Sequence, residues 1–87
     1  MTHRIEIDFE PAEGQVVRLI GLVERRGYEL LGVNFQPAAM GGKGRLDMSV
    51  RPRPGPRRME TLKAQISRVY GVLSVRELTA EPLRESA

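Results

Sequence analysis

The apolar residues of this chain are spaced in two ways that alternate along the sequence, at every second residue as in a strand or at every third to fourth as in a helix. The strand spacing occurs in residues 3–9, 28–36, 45–51 and 72–78. The helical spacing occurs in residues 11–26 and 59–70, and each segment is followed by a glycine that favours helix termination. The order β-α-β-β-α-β in 87 residues predicts an α+β, ferredoxin-like fold. In that fold a four-stranded antiparallel sheet carries both helices on one face.

The same spacing predicts which side chains the helices cover. The inward-facing strand residues are Ile5, Ile7, Phe9, Leu31, Val33, Phe35, Leu46, Met48 and Val50. The outer sheet face carries Arg4, Glu6, Asp8, Arg45, Asp47, Ser49 and Arg51, and Leu30 and Gly32 of the second strand. In the first helix Gln15, Arg18 and Arg25 lie on the polar side. One domain is predicted over residues 1–79, followed by a disordered tail over residues 80–87.

The composition excludes several classes of protein. The chain has no cysteine and a single histidine, His3, which excludes disulfide scaffolds, thiol catalysis, cysteine-ligated metal sites and histidine triads. No apolar run reaches the ~20 residues that a membrane-spanning helix requires, and no signal-peptide pattern opens the chain. The sequence therefore predicts a cytoplasmic protein that has neither a metal site nor a membrane contact.

The chemistries that this fold supports need residues that the chain lacks at the corresponding positions. Recognition of RNA by stacking requires aromatic rings on the central strands, where residues 43–48 provide none. A phosphate-binding loop before the first helix would need basic residues, yet Glu10 and Glu13 make that loop acidic. Glu6 and Asp8 lie on an open sheet face, where carboxylates are normally solvated. The chain is therefore predicted to be a binding or regulatory module without a catalytic residue.

A basic segment is the strongest charge feature of the sequence. Residues 43–58 contain six basic side chains against one acid, Asp47. Such a segment suits nucleic acid or an acidic protein surface. A solvated, arginine-rich face around a proline-rich loop is the simpler interpretation. Composition alone leaves these interpretations open.

The run from Val16 to Tyr28 resembles the helix-to-strand signature of ACT domains. Its segment R-L-I-G-L-V-E-R-R-G-Y is similar to the R-x-x-G-L-F-x-x-R-G-Y/F block of the small regulatory subunit of acetolactate synthase (acetohydroxyacid synthase). The closing V-L-S-V-R-E-L resembles the V-x-x-V-x-E-L last strand of the same family. The resemblance covers about residues 3–78, and the length is similar to that of the short, isozyme II type of this subunit.

The resemblance implies a protein that catalyses nothing itself. It would bind the large catalytic subunit of acetolactate synthase and raise the rate at which that subunit condenses two pyruvates, or pyruvate with 2-oxobutyrate. Thiamine diphosphate, magnesium and FAD would belong to the large subunit, and this chain would hold no cofactor. ACT domains commonly pair edge strand to edge strand, which implies a homodimer through the second strand with an amino-acid effector at the interface.

The family's effector site corresponds to Pro11, Glu13, Gly14, Gln15 and Glu29, where backbone N–H groups before the first helix would face the effector carboxylate. Valine-sensitive members have asparagine where this chain has Pro11 and Glu29. Glu13 would repel an effector carboxylate at ~4 Å by about 1–4 kcal/mol, whereas Glu29 would attract the effector ammonium. We therefore expect activation with little or no response to valine.

In this interpretation the basic segment contacts the large subunit through Arg51, Arg53, Arg57 and Arg58, because guanidinium groups pair with carboxylates in two bonds. A protein partner is then expected rather than nucleic acid. Two alternatives stay open. One is an ACT domain that senses an amino acid for another enzyme, and the other is a ferredoxin-like nucleic-acid-binding module that uses the same arginines.

Overall fold

Six elements follow one another in the predicted order. The computed structural model describes residues 2–37 and 42–78. Its elements are β1 (His3–Phe9), α1 (Gln15–Arg25), β2 (Tyr28–Gln36), β3 (Gly44–Pro52), α2 (Met59–Ser67) and β4 (Val72–Leu78). The order β-α-β-β-α-β is confirmed, and β3 is one residue longer at each end than predicted. The predicted C-terminal tail lies outside the described residues.

The four strands form one antiparallel sheet in the order β2-β3-β1-β4. β1 pairs with both β3 and β4, and β2 pairs with β3. The second strand is therefore an edge strand, as predicted, and β4 is the other edge. This order places the β1–α1 loop, the β2–β3 hairpin and the α2–β4 loop at one end of the domain, and the α1–β2 and β3–α2 loops at the other.

The core lies between one sheet face and the two helices. The buried strand residues of β1 and β3 are the predicted ones, Ile5, Ile7, Phe9, Leu46, Met48 and Val50. The helices contribute Leu19, Leu22, Val23, Leu62 and Ile66. Full burial of a side chain of this kind contributes roughly 1.5–3 kcal/mol, so this single layer of contacts holds both helices on the same face. None of the described helices is long and apolar enough to cross a membrane.

The predicted alternation of β2 is wrong at one position. Leu30 lies opposite Val50, and Gly32 lies opposite Ser49, the next residue along β3. Leu31 is therefore the extra residue of a β-bulge, which shifts the alternation by one. Leu30 consequently packs against the core rather than on the outer face, while the residues after the bulge keep their predicted sides.

A buried side chain holds the first turn of α1 beside the loop that precedes β4. Gln15, predicted on the polar side of the helix, is only 1% exposed. Its Nε2 donates to the carbonyl of Tyr70, and nearby the N–H of Glu10 donates to the carbonyl of Gly71. The first turn of α1 thus lies beside the loop that leads into edge strand β4, while its last turn leads into β2 at the opposite edge. The prediction failed because the loop contact, rather than the apolar stripe, decides the environment of this residue.

A single arginine joins the loops at the other end of the domain. Arg57 donates from Nε to the carbonyl of Arg26 and from Nη1 to the carbonyls of Arg53 and Pro54, at distances of 2.8–3.3 Å. The N–H of Arg53 donates to the carbonyl of Gly27 at 2.9 Å. Gly27 has a φ of 91°, a left-handed conformation that favours glycine after a helix. A side chain at Gly27 would occupy the space that the Arg57 guanidinium fills.

Replacing Gly27 by alanine should destabilise the fold. The left-handed backbone costs an L-residue about 1–2 kcal/mol, and the added Cβ would overlap the Arg57 guanidinium. We expect Gly27→Ala to lower the free energy of unfolding in urea by at least ~1 kcal/mol. Gly32→Ala is the matched control, because a Cβ there would meet no atom within 4 Å, and it should leave that free energy unchanged or raise it slightly. Equal effects of the two substitutions would contradict the role given to Gly27.

Candidate functional site

The loop between β1 and α1 carries most of the predicted effector site. Pro11, Glu13 and Gly14 are exposed there. The N–H of Gln15 donates to the carbonyl of Ala12 at 3.1 Å and closes a turn. Gly14 then caps the helix with a φ of 76°, which favours glycine. The predicted start of the helix at residue 11 is therefore wrong, because this turn delays the start of α1 by four residues, to Gln15.

This loop presents hydrogen-bond donors at the N-terminus of α1. Within residues 2–37 and 42–78 the N–H groups of Gly14, Val16 and Val17 donate to no backbone carbonyl. Such amides, together with the positive end of the helix dipole, attract an anion such as a carboxylate. Glu13 is exposed beside them and adds a negative charge that opposes the same ligand. The loop therefore offers donors for a carboxylate but in an unfavourable field.

The amide of Gln15 is turned away from the surface of this loop. Its Nε2 bonds to Tyr70, and its Oε1 is buried with no hydrogen-bond partner among the described residues. The side chain also packs on Gly71, where an added Cβ would approach Nε2 to 2.6 Å. The Gln15 side chain thus ties α1 to the α2–β4 loop. A role for Gln15 in effector binding stays a prediction. It rests on the position of the residue at the start of the helix and not on its side chain.

Glu29 lies at the opposite end of the domain from Gly14. It is the second residue of β2 and pairs with Arg51 of β3, with 2.9 Å between Arg51 Nη2 and Glu29 Oε1. The 11 residues of α1 separate the two ends by roughly 16 Å. A single chain therefore does not bring Glu29 together with the other predicted effector residues.

An apolar surface on the edge strand is left uncovered. Leu31 is 42% exposed, Val33 43% and Phe35 46%, and these three residues form the β2 patch. Val33 and Phe35 lie opposite core residues of β3, which confirms that they face the helix side of the sheet. The ring of Phe35 stacks on that of buried Phe9, with 6.1 Å between the centroids. Their predicted burial is wrong, because α1 covers only the start of β2 and the apolar layer therefore continues to the surface.

The outer sheet face carries an ion-pair network rather than solvated carboxylates. Arg45 contacts Glu6 at 3.3 Å and Asp8 at 3.1 Å, Arg76 contacts both carboxylates, and the hydroxyl of Ser74 donates to Asp8. Burial of Asp8 on its own would raise the pKa of the carboxyl. The hydrogen bond and charge of Arg45, with Ser74 and Arg76, hold that pKa below its ordinary value of 3.8. The expectation of solvated carboxylates is therefore wrong, because these pairs link β1 to both of its neighbours.

The four arginines of the predicted partner surface have different roles. Arg51 pairs with Glu29, and Arg57 is folded onto backbone carbonyls. Arg53 and Arg58 are exposed, and neither side chain forms an ion pair in the part of the chain that the structure describes. The internal role of Arg57 has no local sequence signal, since it depends on two separate loops meeting. Arg53 and Arg58 are therefore the members of the set that a partner can reach most directly.

A family model shows what class of protein this fold and loop belong to. The model for the ACT domain matches residues 11–75, which is most of the chain. The chain belongs to the ACT domain family. ACT domains are regulatory modules that often dimerise and act on partner enzymes. The chain is therefore a regulatory domain, and the predicted ferredoxin-like fold is the fold of this family.

Solved structures share the fold at low sequence identity. The ACT domain of GTP pyrophosphokinase from Chlorobium tepidum is 18% identical with a TM-score of 0.73, over 90% of this chain and 97% of that one. The acetolactate synthase small subunit from Thermotoga maritima is 18% identical with a TM-score of 0.75, over 94% of this chain and 50% of that one. A formyltetrahydrofolate deformylase from Pseudomonas putida is 12% identical with a TM-score of 0.76, over 92% of this chain and 29% of that one. No curated protein matches the sequence significantly.

The Asp8 network should make stability depend on pH in the acid range. Because the pKa of Asp8 is lowered in the folded state, its contribution is complete above the ordinary value of 3.8 and is lost as the pH falls through the folded value. We expect the urea midpoint of the wild type to drop between about pH 5 and pH 3, and Asp8→Asn to show a lower midpoint at pH 5 and a smaller drop. Glu24→Gln alters an exposed carboxylate on α1 and should keep the wild-type drop. An unchanged drop in Asp8→Asn would contradict this assignment.

Proposed function

We propose that this ACT domain is a non-catalytic, activating subunit of acetolactate synthase. The observation that carries the proposal is the segment 18–28, whose sequence resembles the characteristic block of the acetolactate synthase small subunit. This segment forms most of α1, the turn at Gly27 and the first residue of the edge strand. The fold likeness to the Thermotoga maritima small subunit is consistent with this role. Thiamine diphosphate, magnesium and FAD would remain with the catalytic subunit.

The regulatory form would be a dimer paired through β2. As an edge strand, β2 has backbone N–H and C=O groups that face away from β3, and the β2 patch lies beside them. Because these apolar side chains are half exposed, each contributes only part of the roughly 1.5–3 kcal/mol that it would contribute when fully buried. A second copy paired antiparallel along β2 would extend the sheet from four strands to eight and cover the β2 patch of both copies.

The same antiparallel pairing would assemble the effector site from two chains. β2 runs from Tyr28 at the α1–β2 end of the domain to Gln36 at the end that holds the β1–α1 loop. Reversal of the strand in the second copy would bring Glu29 of one copy toward Gly14 of the other. The effector carboxylate would then lie near the backbone amides at Gly14, where Glu13 repels it. The effector ammonium would lie near Glu29, whose charge is already partly neutralised by Arg51. We therefore infer weak binding of valine at most.

The catalytic subunit would contact the basic loop between β3 and α2. Arg53 and Arg58 are exposed on this loop, and arginines are enriched at protein interfaces. Nucleic acid would be recognised by the same two side chains through phosphate contacts. A titration with mixed oligonucleotides at physiological salt distinguishes these partners, and we expect no binding.

The isolated chain should be a dimer whose stability depends on the β2 patch. We expect light scattering to give twice the chain mass of 9.8 kDa at micromolar concentrations. Val33→Lys with Phe35→Lys should give the monomer mass, because each charge would be buried against the second copy. Asn34→Lys with Gln36→Lys adds the same charge to the outer face of the same strand and should remain dimeric. A monomeric wild type across this concentration range would overturn the proposed interface.

Addition of this chain should raise the turnover of the cognate acetolactate synthase catalytic subunit. The two proteins should co-purify, and millimolar valine should leave the activation intact because of the charge at Glu13. The measurement is acetolactate formation with and without the full chain and with and without valine. No co-purification together with unchanged turnover would refute the assignment to this enzyme, and the chain would then be an ACT domain for another one.

A triple substitution tests the reason given for valine insensitivity. Pro11→Asn, Glu13→Ser and Glu29→Asn together should create a valine-dependent rise in melting temperature, since a ligand that binds the folded state stabilises it. The control replaces Glu13→Ser by Glu24→Ser, which removes the same charge from an exposed position on α1, and should show no rise. Tight valine binding by the wild type would show that the electrostatic argument is wrong.

A further inference from the structure

A basic pocket lies at the end of the domain opposite the effector loop. It is a cavity of about 250 Å³ between the α1–β2 turn and the start of α2. Arg26, Arg57 and Arg58 line it, together with Tyr28 and Thr61. Among the described residues that line the cavity there is no carboxylate. Three guanidinium groups around one small cavity therefore give it a positive lining, although the charge of Glu77 also reaches Tyr28.

The guanidinium groups retain donors that a ligand can use. Arg57 is held by bonds from Nε and Nη1 to backbone carbonyls, and its Nη2 makes no hydrogen bond within the described ranges. Arg26 donates from Nη2 to Gln65 at 3.1 Å, which leaves its Nε and Nη1. Arg58 is exposed and, in the described part of the chain, its side chain forms no hydrogen bond or ion pair. Because Arg57 is already fixed, it loses little conformational freedom when it binds an anion.

A tyrosine and a helix N-terminus also lie at this pocket. Tyr28 is 3% exposed as a whole residue and lines the pocket, where it brings a hydroxyl that can donate a hydrogen bond. Helix α2 begins with Arg58 as its cap residue and without a side-chain cap. The N–H groups of Met59 and Glu60 donate to no backbone carbonyl of the described residues. The tyrosine hydroxyl and these two N–H groups are neutral hydrogen-bond donors that add to the positive charges of the three arginines.

We propose that this pocket binds a phosphate group, either inorganic phosphate or the phosphate of a small monoester. Arginine forks match phosphate oxygens in pairs of parallel bonds, and a dianion balances three positive side chains better than a single carboxylate does. The volume lies below the roughly 300–1,000 Å³ of sites for larger ligands, which suits the phosphate group rather than a whole nucleotide. The site is separate from the effector loop, but it shares Arg58 with the proposed contact to the catalytic subunit. Phosphate binding is therefore measured on the full chain without that subunit.

Backbone amide NMR of the full chain tests the site directly. Titration with potassium phosphate, against potassium chloride at equal ionic strength, should give saturable shifts at Tyr28, Arg58 and Thr61 and none at Gly14. A parallel titration with glycerol 3-phosphate distinguishes a phosphate monoester from inorganic phosphate as the ligand. Tighter binding of glycerol 3-phosphate would assign the pocket to a monoester, and equal binding would assign it to inorganic phosphate. Acetate binding as tightly as phosphate, or shifts spread over every arginine, would overturn the proposal.

Variants that each remove one positive charge distinguish a specific phosphate site from a general effect of net charge on phosphate binding. Arg26→Gln and Arg58→Gln should each weaken phosphate binding by about tenfold or more, the loss expected for a charged hydrogen bond. Arg57 is kept, because it also holds the two loops together. Arg68→Gln removes an exposed charge at the far end of α2 and should leave the affinity unchanged, with dispersed amide spectra confirming that each variant is folded. Equal losses in all three variants would overturn the site.

Discussion

The hydrogen bond from the Gln15 side chain to the carbonyl of Tyr70 fixes where helix α1 lies, and the rest of the surface depends on that placement. The Oε1 of Gln15 already lacks a partner among the described residues, and loss of the Nε2 bond would leave the other buried group unpaired at a cost of roughly 1–3 kcal/mol. The first turn of α1 is therefore held beside the loop that precedes β4. The last turn has to reach β2 at the opposite edge of the sheet through the turn at Gly27. Only the first three residues of β2 are buried or half-buried, and the rest of the strand is exposed. The β2 patch therefore stays uncovered because the first turn of α1 is held near β4, at the other edge of the sheet.

The two ends of the domain also differ in their electrostatics. At one end the start of α1 offers backbone amides, but Glu13 opposes an anion there. At the other end Arg57 binds the carbonyls of two loops and, with Arg26 and Arg58, lines a pocket without a carboxylate among its described residues. A weak response to valine and a phosphate site are thus compatible in one small domain, since each anion would meet a different field.

The outer faces of β1 and β3 were predictable because these two strands alternate without interruption. The bulge in β2 was not predictable, because Leu30 and Leu31 are both apolar and either residue could face the core. The environments of Gln15 and Arg57 were not predictable for a different reason. Gln15 bonds to a residue 55 positions away, and Arg57 joins two loops, so no local pattern records these contacts. Of the candidate site, the sequence located the loop and its charge, whereas the distance to Glu29 and the basic pocket required the folded chain.

Hydrogen exchange at two protein concentrations tests most directly the central claim, that edge strand β2 is where two copies of this regulatory domain meet. If a second copy pairs with it, the backbone amides of β2 should exchange more slowly at high concentration than at low concentration. The amides of β4, at the other edge of the same sheet, should exchange at the same rate under both conditions. Exchange in β2 that does not change with concentration, or slowing that is equal at the two edges, would contradict the account.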